Sequence, residues 1–238
     1  GQAGADGGLH VYDLGEEEGG GRGLRLESSF RCSNTPGSLA LSLDWNDRCS
    51  AERRRRCAAV SMSEGKVCLV QMRSDGTLCS AGEVEGHELE CWIASWDCHA
   101  EDVMYSGADD GLLKCWDLRG GGSTLLHADR RSFQAGVTCI QSHAALQHCL
   151  AVGSYDETVK IYDTRNMRSP VAEKHVGGGV WRVKWCPSDP SLLAVARMHA
   201  GFAVLKYDHG AGKFLENIME YTGGHESLGY REWGSGCP

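Results

Sequence analysis

The feature that most limits what this chain can fold into is a repeat. Strand-like segments closing on an aromatic or polar residue recur as Leu39–Trp45, Trp92–Trp96, Val137–Ser142, Val180–Trp185 and Tyr230–Trp233, with their ends 51, 46, 43 and 48 residues apart. Between them lies a second signature, Ser106-Gly107-Ala108-Asp109-Asp110-Gly111-Leu112-Leu113-Lys114-Cys115-Trp116-Asp117, which returns as Gly153-Ser154-Tyr155-Asp156-Glu157-Thr158-Val159-Lys160-Ile161-Tyr162-Asp163. Asp117 and Asp163 are 46 residues apart, the same period. A unit of this size cannot bury an apolar face alone and must stack on its neighbours.

Each unit reads as four short strands with turn residues between them, ending in an aromatic-Asp pair, which is the blade of a WD-repeat β-propeller. The fold class is therefore all-β. The repeats fall at approximately 38–87, 88–131, 132–176 and 177–224, with partial blades at both ends. Weaker copies are Lys66–Val70 and Phe202–Asp208, while Leu9–Asp13 reads as the end of a blade whose start is absent. The chain opens at Gly1 in a Gly-rich stretch, and its last repeat reaches Trp233 with only five residues after it. The expectation is an incomplete piece: about four full blades of a ring that commonly has seven, because open blade edges are what closed propellers avoid.

Composition removes several functions. Lys and Arg total 24 against 32 Asp and Glu, a formal charge of −8, which argues against a nucleic-acid partner. No apolar run approaches the roughly 18–20 residues that span a bilayer, so no membrane partner is expected. The 12 cysteines include no C-x-x-C pair and several lie in strand-like runs, so they read as reduced, buried thiols of a cytoplasmic protein. Metal ligation has little support, since Cys98-His99 has no second pair at ligand spacing, and no cofactor-binding motif is present. A monomer is expected.

In a propeller, the loop between the second and third strands and the loop leading into the first strand open on one face. That geometry gathers Asp109, Asp110, Tyr155, Asp156, Glu157, Met198 and His199 with Glu90, Trp92, Gly177–Arg182 and His225–Ser227. Asp110 and Asp156 are expected to satisfy turn amides, His87 to be architectural, and Trp45, Trp96, Trp116, Tyr162 and Trp185 to pack. The run Arg53–Arg56 is read as a solvated loop on the opposite face. His199 stands out, because Met198-His199-Ala200-Gly201 replaces the Asp-bearing hairpin and puts an imidazole where a structural carboxylate is expected. His225 and Ser227 add a base and a hydroxyl on the same face. No G-x-S-x-G, H-E-x-x-H, Walker or G-x-G-x-x-G motif names a reaction.

Taken in order, Ser38–Trp45, Tyr105–Leu113, Gly153-Ser154-Tyr155-Asp156-Glu157, Asp163-Thr164-Arg165-Asn166-Met167, Gly178–Trp185 and Met198-His199-Ala200-Gly201-Phe202 resemble the diphthine methyl ester hydrolases, WD-repeat proteins of diphthamide biosynthesis. The resemblance covers residues 38–228. It implies an esterase that removes the methyl ester of methylated diphthine on elongation factor 2. On that reading a water or the Ser227 hydroxyl is activated by His199 or His225, with Asp156 or Asp109 orienting the imidazole. Arg182 or nearby amides would meet the oxyanion, and Trp181 and Tyr155 would hold the trimethylammonium. The competing expectation is a WD-repeat adaptor without turnover.

Overall fold

The computed structural model describes residues 2–3, 7–16, 21–46 and 56–223. Four antiparallel meanders of four strands follow one another along the chain. The first holds β4 (Ala40–Trp45), β5 (Cys57–Met62), β6 (Lys66–Met72) and β7 (Leu78–Glu85). The second holds β8 (Ile93–Trp96), β9 (Val103–Gly107), β10 (Leu113–Asp117) and β11 (Thr124–Asp129). The third holds β12 (Val137–Ser142), β13 (Cys149–Ser154), β14 (Thr158–Asp163) and β15 (Ala172–His175). The fourth holds β16 (Val180–Trp185), β17 (Leu192–Arg197), β18 (Gly201–Asp208) and β19 (Lys213–Tyr221). A three-stranded sheet of β1 (Gln2–Ala3), β2 (Gly8–Glu16) and β3 (Arg22–Arg31) precedes them. These sheets are the blades of an open WD-repeat propeller, in which β4, β8, β12 and β16 pack in series as the inner strands.

The core lies between blades rather than within one. Strand side chains alternate in direction, so a second strand buried on both faces feeds two interfaces. Every residue of β5 and β13 is buried. Ala58, Val60 and Met62 join Leu9 and Cys32 on one side, while Cys57 and Ala59 join Ala94, Trp96 and Met104 on the other. Leu150 and Val152 likewise meet Tyr105 and Val137, while Cys149 and Ala151 meet Val183 and Leu193. The apolar period of two in each strand is thus the source of the stacking.

Close approach of adjacent blades requires glycine at one repeated position. A Cβ on Gly107 would sit 2.4 Å from Val137 Cγ1, and one on Gly153 would sit 2.3 Å from Val180 Cγ1. Inner strands are also joined by side chains that accept a neighbour's amide. Ser42 Oγ accepts from Ala94 N and Asp44 Oδ2 from Trp96 N; further round, Ser142 Oγ accepts from Cys98 N and Gln141 Oε1 from Trp185 N.

The architectural expectations hold where they can be seen. His87 Nδ1 lies 3.0 Å from Asp110 Oδ2, His87 Nε2 2.8 Å from Ser106 Oγ, and Trp116 Nε1 donates to the same hydroxyl at 2.8 Å. Ten cysteines among the described residues are thiols outside any disulfide, and all but Cys79 are buried. Arg53–Arg55, His225, Ser227 and the segment Tyr230–Trp233 lie outside the described residues.

Candidate functional site

Backbone register makes the blades comparable residue by residue. Gly107 pairs with Ile93 and Leu113, Gly153 with Cys139 and Val159, and Ala196 with Arg182 and Phe202. Counting from these pairs, Trp92, Thr138 and Trp181 occupy one level of the inner strands. Asp109, Tyr155 and Met198 share one level of the facing loops, and Asp110, Asp156 and His199 share the next.

The inner level builds the most distinctive feature. Pairing shifts between Val137 and Cys139 and between Val180 and Arg182, so Thr138 and Trp181 are bulged residues whose side chains are freed from the regular pleat. Thr138 is short and fully buried, and its hydroxyl donates to the Val180 carbonyl. The indoles of the two flanking blades meet beside it: Trp92 and Trp181 have ring centroids 5.9 Å apart in an edge-to-face arrangement at 64°. Trp92 Nε1 donates to Asp109 Oδ1 at 3.2 Å, which fixes that ring. The Arg182 guanidinium lies 5.1 Å from the Trp181 ring centre and donates to the Thr138 and Trp181 carbonyls at 3.2 and 2.9 Å. Tyr155, 46% exposed, and Met198 both lie against the backbone of Gly179.

The second loop level shows a division of labour. Asp110 accepts from Leu112 N and Glu88 N besides facing His87. Burial works against its carboxylate, but the His87 contact and those two amides outweigh it and hold its pKa below the ordinary value. Asp156 accepts from Thr158 N at 3.1 Å and Gln134 N at 3.0 Å, and from the Thr158 hydroxyl. It makes no hydrogen bond to an imidazole among the described residues, so its carboxylate serves its own turn and the loop leading into β12. His199 sits in a 3-10 turn, Met198–Ala200, exposed and without a hydrogen-bond partner among the described residues.

The structure therefore links Trp181 and Arg182 with Trp92 and Asp109, while Tyr155 lies against Gly179, two residues before Trp181, and His199 is in the turn that begins at Met198. It gives Asp109 to an indole rather than to a histidine. Trp92, placed on this face from sequence but given no role there, is the partner of both Trp181 and Asp109. Only the equal spacing of Trp92 and Trp181 before their blades' first paired residues pointed to it. Near this level burial pushes Cys91 up to about 12 and Cys139 up to about 11, which disfavours their thiolates. No group of three or more His, Cys, Asp or Glu able to hold a metal occurs among the described residues.

The blades, their interlocking glycines and the His87–Asp110 network define a WD-repeat protein. Residues 127–163 match the family described as WD domain, G-beta repeat. Among solved structures, a chain of the "Crystal Structure of Mitotic Checkpoint Complex" matches with a TM-score of 0.65 at 19% identity, over 88% of this chain and 60% of that one, which is a likeness of fold. Within that class the chain is similar to proteins named diphthine methyltransferase. It is 37% identical to "Diphthine methyltransferase" of Homo sapiens, over 93% of this chain and 48% of that protein. It is 32% identical to "Diphthine methyltransferase homolog" of Dictyostelium discoideum, over 93% and 62%. To "Diphthine methyltransferase" of Schizosaccharomyces pombe it is 32% identical over 81% and 56%. The chain thus spans about half to three-fifths of the length of these relatives.

Proposed function

We propose that this chain carries the working face of a carboxylic ester hydrolase, one that removes the methyl ester of methylated diphthine on elongation factor 2 during diphthamide biosynthesis. The observation that carries the reading is His199: an exposed imidazole free of turn contacts, at the level where the two preceding blades hold bound aspartates. The relatives' names support diphthine and its methyl group as the chemistry concerned. Where those names say transfer, this reading makes water the acceptor of the acyl group and lets the methyl leave as methanol.

The nucleophile is a water or the Ser227 hydroxyl, and His199 or His225 is the base. As the nucleophilic oxygen bonds to the ester carbonyl carbon, its proton passes to the imidazole and the carbonyl electrons move to oxygen. Arg182 or backbone amides of the Gly177–Val180 stretch face that oxyanion. Collapse breaks the carbon–methoxy bond, and the imidazolium returns its proton so that methanol leaves. With water as nucleophile the product is the carboxylic acid, which ionises; with Ser227, a second water repeats the cycle on the acyl-serine. Asp109 keeps Trp92 in place rather than orienting an imidazole.

Trp181 and Tyr155, joined by Trp92, offer aromatic faces to the trimethylammonium of the substrate. Such a contact is worth about 0.5–2 kcal/mol, so Trp181→Ala raises KM about 2–30-fold with kcat little changed. An unchanged KM in a folded variant removes the cation role from Trp181. The reading as a whole is tested by mass spectrometry of elongation factor 2 carrying methylated diphthine after incubation with the full-length protein. Loss of one methyl ester is the expected result. An unaltered substrate, with folded protein bound to it, gives the adaptor reading instead.

A further inference from the structure

In blades two and three an aspartate holds the amide four residues ahead of Trp92 and of Thr138. Asp110 Oδ2 accepts from Glu88 N at 3.4 Å, and Asp156 Oδ2 accepts from Gln134 N at 3.0 Å. The same register places Gly177 N at this point of the fourth blade, opposite residue 199. No hydrogen bond links His199 to Gly177. The loop is held another way. Arg197, only 5% exposed, sends Nη1 to the Val176 carbonyl at 2.9 Å, the carbonyl of the very peptide unit whose N–H belongs to Gly177.

That unit is turned over relative to blades two and three, whereas blade one also carries a positive-φ glycine at this point, Gly37 at +79°. Gly177 has φ of +75°, whereas φ is not positive at Glu88 or Gln134, so glycine permits the flip that points the carbonyl at the guanidinium. Arg197 also donates from Nη2 to the Phe202 carbonyl at 3.3 Å and pairs with Glu220 at 3.6 Å, which ties the loop to β18 and β19. Its place is taken by Ser154 in blade three, Ala108 in blade two and Met62 in blade one. Ser154-Tyr155-Asp156 and Ala108-Asp109-Asp110 thus correspond to Arg197-Met198-His199.

We propose that Arg197 is a positioning residue that has taken over the loop-anchoring work of the aspartate and so releases position 199 for an unencumbered histidine. The anchored stretch, Val176–Val180, leads directly into Trp181 and Arg182. The release matters for hydrolysis only on the functional reading above, but the exchange of anchors is a property of the fold and is measurable without turnover.

The test is a cycle in the full-length protein: Arg197→Ser, His199→Asp and both together, the double variant restoring the Ser-x-Asp of blade three. Arg197→Ser alone is expected to lower Tm by about 5 °C, since it strands the Val176 carbonyl and removes the ion pair with Glu220. The double variant is expected to recover at least half of that loss, and amide exchange at Gly177 to slow about tenfold or more as the introduced carboxylate accepts its N–H. His199→Asp alone is expected to leave Gly177 exchange unchanged. Additive Tm effects, or equal Gly177 exchange in the single and double His199→Asp variants, overturn the proposal. Arg197→Lys, which keeps the charge and one donor, is expected to retain most of the wild-type Tm. Ester hydrolysis by the double variant, assayed separately, reports on His199: retained activity with a recovered Tm rejects that base and leaves the anchor exchange standing.

Discussion

His199→Ala in the full-length protein lowers kcat/KM for methyl-ester loss by about 10²–10⁴-fold, the usual contribution of a general acid–base group, and moves Tm by no more than about 2 °C. The two halves of this expectation have one structural origin. An exposed imidazole with no hydrogen bond among the described residues holds nothing together, so its removal costs little folding energy. The neighbouring aspartates behave in the opposite way. Asp156→Ala strands the Gln134 and Thr158 amides, and its effect is on stability whatever it does to turnover. A His199→Ala protein that keeps full activity moves the base elsewhere on the face. One that loses activity together with several degrees of Tm makes His199 structural.

The largest effect on stability is expected at Asp110. Its carboxylate faces His87 and takes the Leu112 and Glu88 amides, and His87 in turn reaches Ser106, which receives the Trp116 indole N–H. Asp110→Ala leaves the buried His87 ring and the Leu112 and Glu88 amides without their acceptor and is expected to cost about 2–4 kcal/mol, a fall in Tm of roughly 5–15 °C. The pH dependence follows from the direction of its pKa, which is held below the unfolded value. A depressed carboxylate contributes stability that is fully present above its unfolded pKa of about 3.9 and is lost as pH falls through the lower folded value. Wild-type Tm therefore drops below about pH 4, and the Asp110→Ala curve converges on it there. Asp129, whose pKa is also lowered, adds to the same acid-side loss. Parallel curves for wild type and variant from about pH 3 to 7 contradict this account of the network.

How much of this was legible in the sequence depended on whether the information was local. The 46-residue spacing of Asp117 and Asp163 and the glycines at 107 and 153 sit inside hairpins, so the blade and its strand order could be read directly. The structural role of Asp110 and His87 was likewise readable from the turn chemistry. The meeting of Trp92 with Trp181 was not, because it depends on two bulges and on the curvature of three successive blades. Asp109 as a clamp on an indole, and Asp156 as a clamp on Gln134, are choices among acceptors that only distances resolve. The flip at Gly177 and the reach of Arg197 are less legible still, since Arg-Met-His on its own resembles neither Ser-Tyr-Asp nor an anchor.

The claim that water is the acceptor is tested most directly by running the reaction of the full-length protein on methylated diphthine in heavy-oxygen water and weighing both products. The proposed mechanism predicts one heavy oxygen in the new carboxylate of elongation factor 2 and methanol of ordinary mass. Heavy methanol beside an unlabelled carboxylate, or a methyl group recovered on a second acceptor, contradicts acyl-carbon attack and returns the chemistry to methyl transfer.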